Sequence, residues 1–252
     1  MRLKIEMHAE SLKLPINYQP ILQGVIYSFF DQDSFGDFIH NQGFRADKRV
    51  FKLFSFSNLY GKYTVEDHSI IFEDHFYFYI ASASEEFIRL IYVFLQRNHR
   101  LLIRDTIVNV TKMKLMELPY FKGKQAFSIS SLSPVVAYRT ENNYVNYFKP
   151  SDSAFEDICI GNLREKQKAL KNDAEVLFFH VEKVNYEKKR LLKFKNTFYI
   201  SYLFEMDITA NYPALKLIYD TGLSSKGPAG FGMVSIDREK DILPIQERSF
   251  KT

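Results

Sequence analysis

The sequence of 252 residues lacks several features that would assign a protein class directly. It has one cysteine, Cys159, which excludes an intrachain disulfide and a metal site built from clustered cysteines. Its densest apolar stretch, 87–95, is short and interrupted by Arg89, whereas a transmembrane helix needs about 20 apolar residues. The first ten residues alternate charged and apolar side chains, unlike the continuous apolar region of a signal peptide. We therefore expect a cytoplasmic protein that does not enter a membrane.

Motifs for nucleotide and metal chemistry are also absent. The sequence contains neither a GxxxxGKS/T nor a GxGxxG phosphate loop, and it has no HExxH or CxxC motif. The six histidines are scattered without the spacing of metal ligands; they are His8, His40, His68, His75, His99 and His180. We expect no metal and no cofactor, so any catalysis should depend on side-chain acids and bases.

The composition is that of a folded chain with a small excess of positive charge. Hydrophobic residues make up 46% of the sequence, which is enough for substantial cores, and the net charge of +4 permits a polyanionic partner. The basic residues concentrate between positions 183 and 195, where Glu187 is the one acid; they are Lys183, Lys188, Lys189, Arg190, Lys193 and Lys195. This run fits either the solvated face of a hairpin or a surface that binds nucleic acid.

The hydrophobic periodicity predicts two similar α+β units. In the first unit we expect a strand at 2–10, helices at 20–32 and 34–41, a strand at 50–56, a hairpin at 63–72, a strand at 76–81, a helix at 85–97 capped by Ser84, and a strand pair or bent strand at 101–118. In the second we expect a strand at 127–136, a helix from the Ser151 cap to about 171, a hairpin at 176–195, an alternating strand at 200–208, a helix from Pro213 and a strand at 233–236.

This order, β-α-β-β-α-β and its loose repeat, is typical of the ferredoxin-like arrangement. The predicted fold class is α+β, with two tandem ferredoxin-like (RRM-like) domains that have antiparallel sheets. We place the N-terminal domain at 1–120 and the C-terminal domain at 121–252.

A glycine-rich segment precedes the last predicted strand. Four of the ten glycines lie within 222–232, and Lys226 lies among them. Glycines allow a close approach of the backbone, so this segment is either a phosphate-binding loop or a tight turn between a helix and an edge strand. Composition alone leaves both interpretations open, and Lys226 slightly favours an anion.

Several short motifs together resemble one known family. They are Leu14–Tyr18 (LPINY), Leu22–Tyr27 (LQGVIY), Phe38–His40 (FIH), Phe51–Ser57 (FKLFSFS), Leu132–Val135 (LSPV) and Gly230–Gly232 (GFG). In this order they resemble the CRISPR-associated endoribonucleases that process precursor CRISPR RNA, the Cas six family of the RAMP superfamily. The family's loop often begins Gly-x-Gly; here Ser224 occupies the second of those positions and Gly227 is additional.

The resemblance implies an enzyme that cleaves CRISPR repeat RNA without a metal. The 2′-hydroxyl would attack the adjacent phosphate, leaving a 2′,3′-cyclic phosphate and a 5′-hydroxyl. His40, Tyr27 and Lys52 match the family's catalytic residues by motif position. The implied RNA-binding residues are Gly222, Lys226, Gly230, Phe231 and Gly232 in the loop, and Lys188, Lys189, Arg190 and Lys193 in the basic run. Implied partners are precursor and processed CRISPR RNA, proteins of an effector complex, and a second copy of the chain.

Each candidate also has a structural interpretation. His40 could be a polar residue that closes a short helix, Tyr27 a partly buried core residue, and Lys52 a solvated strand lysine. Two other function classes therefore stay open: a non-catalytic RNA-binding subunit of an effector complex, and a ferredoxin-like interaction module unrelated to RNA.

Overall fold

A computed structural model describes residues 1–30, 43–46, 49–172 and 176–237. The predicted short helix at 34–41 lies outside the described residues.

The first half of the chain forms one antiparallel sheet with two helices. Its elements are β1 (Arg2–Pro15), α1 (Gln19–Ser28), β2 (Phe44–Ala46), β3 (Arg49–Phe51), β4 (Phe54–Phe56), β5 (Tyr60–Glu66), β6 (Ser69–Ser82), α2 (Glu85–Arg97), β7 (Arg100–Ile103) and β8 (Thr106–Met116). The sheet has the order β4-β6-β1-β8-β7, β5 pairs with β6, and β2 and β3 form a separate small hairpin.

Local sequence explains the main elements of this half. In β1, Leu3, Ile5 and Met7 alternate along the strand and are fully buried, as the period of two requires. Helix α2 begins after Ser84, whose Oγ accepts a hydrogen bond from the Phe87 amide at 3.3 Å, as predicted. The apolar residues of α2 recur on one face and are buried in the core.

The second half repeats the same topology. Its elements are β9 (Lys124–Ser131), β10 (Ala137–Glu141), β11 (Tyr144–Phe148), α3 (Ser153–Ala169), β12 (Phe179–Phe194), β13 (Thr197–Asn211), α4 (Tyr212–Thr221) and β14 (Val234–Ile236). Among the described strands the sheet order is β12-β13-β9-β14. This order corresponds, strand by strand, to β4-β6-β1-β8 in the first half: β9 is the counterpart of β1, β12 of β4, β13 of β6 and β14 of β8. All pairs among the described strands are antiparallel. The predicted fold class, two tandem ferredoxin-like units with antiparallel sheets, is confirmed.

Two hydrophobic cores underlie the two sheets, one built from residues between Met1 and Val108 and one from residues between Leu118 and Ile236. Arg2 connects them: its guanidinium is fully buried and donates to the carbonyl oxygens of Tyr219 at 3.0 Å and Val234 at 2.9 Å. The amino group of Met1 also lies 2.5 Å from the Asp220 carboxylate. These contacts fix the sheet of the first half against α4 and β14 of the second.

Two sequence predictions about elements are wrong, and a third element was missed. Residues 176–195 do not form a hairpin; 179–194 form one strand, β12, whose partner is β13, and the turn lies at 195–196. The predicted strand at 50–56 is divided between β3 and β4, and Leu53 at the division has a positive φ of 42°. The β10–β11 hairpin was not predicted.

Other predictions differ only in extent. The hairpin at 63–72 is confirmed as β5–β6, and the predicted strand at 76–81 is the second half of β6. The alternative of a strand pair at 101–118 is the correct one. Helix α3 begins after Asp152 rather than Ser151, because Ser151 donates from both its amide and its hydroxyl to Glu187.

Candidate functional site

A cavity of about 1000 Å³ opens between the two halves of the molecule. Helix α1 and the segment between β3 and β4 form its wall in the first half. Helix α3, hairpin β10–β11, the β12–β13 turn and the glycine-rich segment form its wall in the second half. The cavity lining includes the side chains of Gln23, Tyr27, Lys52, Lys166, Lys195 and Lys226.

Two of the three predicted catalytic residues meet in this cavity. Tyr27 lies on the flank of α1 away from the buried Leu22 and Ile26, and its ring packs edge-on against Phe54 at 6.0 Å. Lys52 follows β3, where the chain leaves the small hairpin for the main sheet. The Lys52 Nζ atom lies 5.1 Å from the centre of the Tyr27 ring, within the range of a cation–π interaction.

Burial gives these two groups opposite pKa shifts. It raises the pKa of Tyr27 to about 12, so the phenol keeps its proton at neutral pH and is available as a hydrogen-bond donor. Burial also lowers the pKa of Lys52, and the positive charge of Lys195 lowers it further. The cavity therefore favours a neutral phenol and places two lysines close enough to repel each other.

The third predicted catalytic residue, His40, lies outside the described residues. The structure thus brings Tyr27 and Lys52 together, and the catalytic roles of all three residues stay predictions from the resemblance.

The glycine-rich segment packs tightly against both halves. Gly222, Gly230 and Gly232 have positive φ angles of 74°, 82° and 80°. A Cβ atom at Gly232 would lie 2.4 Å from the Ser224 amide nitrogen, and one at Gly230 would lie 2.7 Å from the Phe56 ring. These glycines therefore permit close packing of the segment. They are buried, as is Phe231, which is 1% exposed, so a contact of any of the four with RNA stays a prediction.

Lys166 of α3 holds this segment in place. Its side chain is 4% exposed, and Nζ donates to the carbonyl oxygens of Thr221 at 3.2 Å, Gly222 at 2.6 Å and Ser224 at 3.0 Å. Burial lowers the pKa of Lys166 to about 7, whereas the three acceptors favour the ammonium form, which has three N–H donors. From the first half, Gln23 Nε2 donates to the Pro228 carbonyl oxygen at 2.6 Å.

Lys166 was not among the residues predicted from the sequence. A signal was present, because Lys166 occupies a position of the buried α3 stripe that includes Leu163 and Ala169. A lysine at such a position must have acceptors nearby, although the sequence does not show which ones.

Lys226 lies among aromatic rings at the cavity wall. Its Nζ atom is 5.6 Å from the centre of the Tyr138 ring and 5.8 Å from that of Tyr199. Tyr147 of β11 packs against Tyr138 at 6.0 Å, and Tyr199 packs against Phe231 at 5.6 Å. The tyrosines of the β10–β11 hairpin were not predicted as site residues, since the hairpin itself was missed.

The basic run divides between the two faces of β12. The strand register places Lys189 and Lys193 on one face and Lys188 and Arg190 on the other. Lys188, Lys189 and Lys193 are exposed, and Lys193 Nζ lies 5.6 Å from the centre of the Phe198 ring. Lys195, at the turn, is the member of this run that lines the cavity.

Comparison with known proteins relates this architecture to one family. Residues 115–236 match the family model described as CRISPR associated protein Cas6, C-terminal. Over 245 residues the chain is 26% identical to the protein named CRISPR-associated endoribonuclease Cas6 1 of Methanocaldococcus jannaschii, a match that covers 93% of this chain and 92% of that protein. The predicted relationship to the Cas6 family is confirmed.

Solved structures show that the fold is shared as well. The structure titled CRISPR associated protein Cas6 superimposes with a TM-score of 0.76 at 23% identity, covering 93% of this chain and 98% of that chain. The structure titled An RAMP protein binding different RNA substrates gives a TM-score of 0.71 at 20% identity, covering 94% of this chain and 99% of that chain. The shared fold therefore extends over both ferredoxin-like units. In the described ranges, no helix is long and apolar enough to cross a membrane.

Proposed function

We propose that this chain is a metal-independent endoribonuclease that cleaves CRISPR repeat RNA within precursor transcripts. The observation that carries the proposal is the convergence of Tyr27 and Lys52 on a cavity whose opposite wall is basic. The relative from Methanocaldococcus jannaschii, which is named an endoribonuclease, supports the same activity.

The proposed reaction is an intramolecular transesterification. The 2′-hydroxyl attacks the adjacent phosphorus, the bond to the 5′-oxygen breaks, and a 2′,3′-cyclic phosphate and a 5′-hydroxyl remain. Such a reaction needs a base for the 2′-hydroxyl, an acid for the leaving oxygen, and positive charge at the phosphorane. Lys52 supplies positive charge, the neutral Tyr27 phenol donates a hydrogen bond that orients a reacting oxygen, and His40 serves as acid or base.

RNA outside the cavity is held by the basic strand and by the accessible part of the glycine-rich segment. Lys188, Lys189, Arg190 and Lys193 contact phosphates, and Lys226 contacts the RNA where it enters the cavity. The N-terminal domain, 1–120, carries the catalytic residues and the C-terminal domain, 121–252, carries these binding residues. Binding to effector-complex proteins and formation of a homodimer are parts of the same proposal.

Incubation with cognate repeat RNA in EDTA tests the reaction. We expect cleavage to persist in EDTA, to give 2′,3′-cyclic phosphate and 5′-hydroxyl ends, and to stop when the nucleotide before the scissile phosphate is 2′-deoxy. Robust cleavage of the deoxy substrate would exclude intramolecular attack. Tight binding without cleavage would instead identify a non-catalytic RNA-binding subunit, and absence of both would identify an interaction module unrelated to RNA.

Substitution of His40 tests the site that the resemblance implies. We expect His40→Ala to slow single-turnover cleavage by about 10²–10⁴-fold, the usual contribution of general acid–base catalysis, with little change in RNA affinity. A rate near that of the parent protein would place the acid or base at another residue.

A further inference from the structure

Lys195 reaches the cavity from the second half of the molecule, although it is distant from Tyr27 and Lys52 in sequence. It occupies the first position of the two-residue turn between β12 and β13, strands of 16 and 15 residues. Near this turn the amide of Lys193 donates to Asn17 Oδ1 of the first half at 3.2 Å. The hairpin end is therefore fixed against the first half, and the position of Lys195 at the cavity follows from the fold.

The backbone at Lys195 does not favour a lysine. Its φ angle is 54°, a left-handed conformation that glycine adopts without penalty and that asparagine tolerates better than long side chains do. Gly or Asn would thus fit the turn geometry better than lysine does. The turn geometry therefore does not explain why a lysine occupies this position.

The cavity concentrates positive charge around Lys195. Five of the described residues that line it are basic and one, Glu141, is acidic; the basic residues are Lys52, Arg139, Lys166, Lys195 and Lys226. Lys166 donates to three carbonyl oxygens, and Arg139 lies 4.0 Å from Asp157. Lys195 and Lys52 line the same cavity, where burial lowers the pKa of Lys52 and repulsion from the positive charge of Lys195 lowers it further. An anion between these two lysines would remove that repulsion.

We propose that Lys195 and Lys52 together bind one phosphate group, with one lysine contributed by each half of the molecule. The identification of this phosphate as part of the RNA at the cleavage site rests on the proposed function. Lys195 is then a phosphate-binding residue of the reaction centre, distinct from the lysines of β12 that contact RNA outside the cavity.

Substitution of Lys195 by Asn separates this role from a role in the turn. We expect Lys195→Asn to melt at the same temperature as the parent or higher, because asparagine suits the left-handed conformation. We expect it to slow single-turnover cleavage of repeat RNA by about 10-fold to 100-fold and to reduce the salt slope of affinity by about 0.7, the value for one phosphate contact on a single strand. Lys195→Arg should cleave within a few-fold of the parent rate.

Lys171 offers a matched control. It is an exposed lysine with a φ angle of 55°, it follows α3, and it does not line the cavity. Lys171→Asn removes the same charge and relieves the same backbone conformation, so it should leave cleavage and the salt slope unchanged. If Lys195→Asn behaves like Lys171→Asn, Lys195 is only a turn residue and the proposal is wrong.

A second measurement does not depend on RNA cleavage. Inorganic phosphate should raise the melting temperature of the parent protein and of Lys171→Asn more than that of Lys195→Asn. If phosphate stabilises all three proteins equally, the two lysines do not form an anion site. If the parent protein does not cleave repeat RNA but phosphate stabilisation still requires Lys195, the anion site stands and the proposed function fails.

Discussion

Lys166 donates a hydrogen bond from Nζ to the Gly222 carbonyl oxygen at 2.6 Å, which connects helix α3 to the start of the glycine-rich segment. Two further bonds, to Thr221 and Ser224, extend this connection from the last residue of α4 into the segment. The carbonyl groups at the end of a helix have no partners within the helix, so a buried helix end needs donors from elsewhere. Lys166 meets that need and fixes the direction in which the segment leaves α4.

We expect Lys166→Met to destabilise the protein by about 3 kcal/mol, because the substitution leaves buried carbonyl groups without a donor. Lys168→Met is the control, since Lys168 forms an exposed ion pair with Glu165 at 2.9 Å and its loss should change stability by about 0.5 kcal/mol or less. Urea unfolding of both variants gives the comparison. Equal stabilities would show that the segment does not depend on Lys166.

The pH dependence of cleavage tests the state of Tyr27. Its pKa is raised to about 12 by burial, so the phenol carries its proton throughout the range from pH 5 to 9. We expect Tyr27→Phe to lower the single-turnover rate by about 10-fold to 100-fold while the pH midpoint of the acidic limb stays where it is in the parent protein. A shift of that midpoint would mean that Tyr27 influences the pKa of the group that titrates on this limb, and loss of the limb would mean that Tyr27 itself titrates.

Stability measurements keep this prediction separate from misfolding. An unfolded tyrosine ionises near pH 10 and Tyr27 in the folded protein near pH 12, so unfolding is favoured by ionisation only above about pH 10. The melting temperature of Tyr27→Phe near pH 7 should therefore show no contribution from this ionisation. Tyr144→Phe, at a position on β11 that is 77% exposed and outside the cavity lining, should match the parent protein in rate and pH profile.

Local sequence patterns were sufficient to predict the strands and helices that bury one face. The alternation in β1 and the Ser84 cap of α2 are determined within a few residues, and both predictions are confirmed. Strand β12 was mispredicted because its register shifts between Val181 and Lys183, and again between Val184 and Tyr186. These irregularities interrupt the period of two, and polar residues occupy both of its faces.

The candidate site depends on contacts that no local pattern contains. Motif resemblance selected Tyr27 and Lys52, which the fold brings within 5.1 Å of each other. Lys195 joins them only through the pairing of β12 with β13 and the contact of the hairpin with Asn17. The partners of Lys166 lie 55 to 58 residues further along the chain. Such relationships follow from tertiary packing, which periodicity and composition do not determine.

We expect one added methyl group in the glycine-rich segment to reduce the stability of the protein strongly. In Gly232→Ala the new Cβ would lie 2.4 Å from the Ser224 amide nitrogen, and the φ angle of 80° is unfavourable for alanine. Gly123→Ala is the matched control, because Gly123 has a φ of 73° but no atom within 4 Å of the Cβ position. We expect a loss of about 1 kcal/mol in the control and at least about 2 kcal/mol more in Gly232→Ala.

Chemical denaturation and RNA titration of these two variants distinguish packing from RNA contact. If Gly232→Ala loses RNA affinity only in proportion to its lost stability, the segment acts as a structural turn. Loss of affinity in a variant that is fully folded at the assay temperature would support a backbone contact with RNA near Gly232.

The basic residues Lys189 and Arg190 of β12 lie outside the cavity lining. Lys189 and Arg190 lie on opposite faces of β12, so a double substitution changes the charge on both surfaces of the hairpin. Charge reversal at both, Lys189→Glu with Arg190→Glu, should weaken RNA binding, and each phosphate contact that is lost should reduce the salt slope by about 0.7. Lys183→Glu, near the opposite end of the same strand, has the same chemistry far from the turn and should change affinity much less.

Titration of each variant across a range of salt concentrations decides where the RNA lies. A lower affinity with an unchanged slope would indicate that the double substitution distorts the hairpin rather than removing phosphate contacts. The single variants then separate the faces: Arg190 shares its face with Tyr199, whose ring packs against Phe231 beside the cavity. We therefore expect Arg190→Glu to weaken binding more than Lys189→Glu, and the opposite order would place the RNA on the far side of the hairpin.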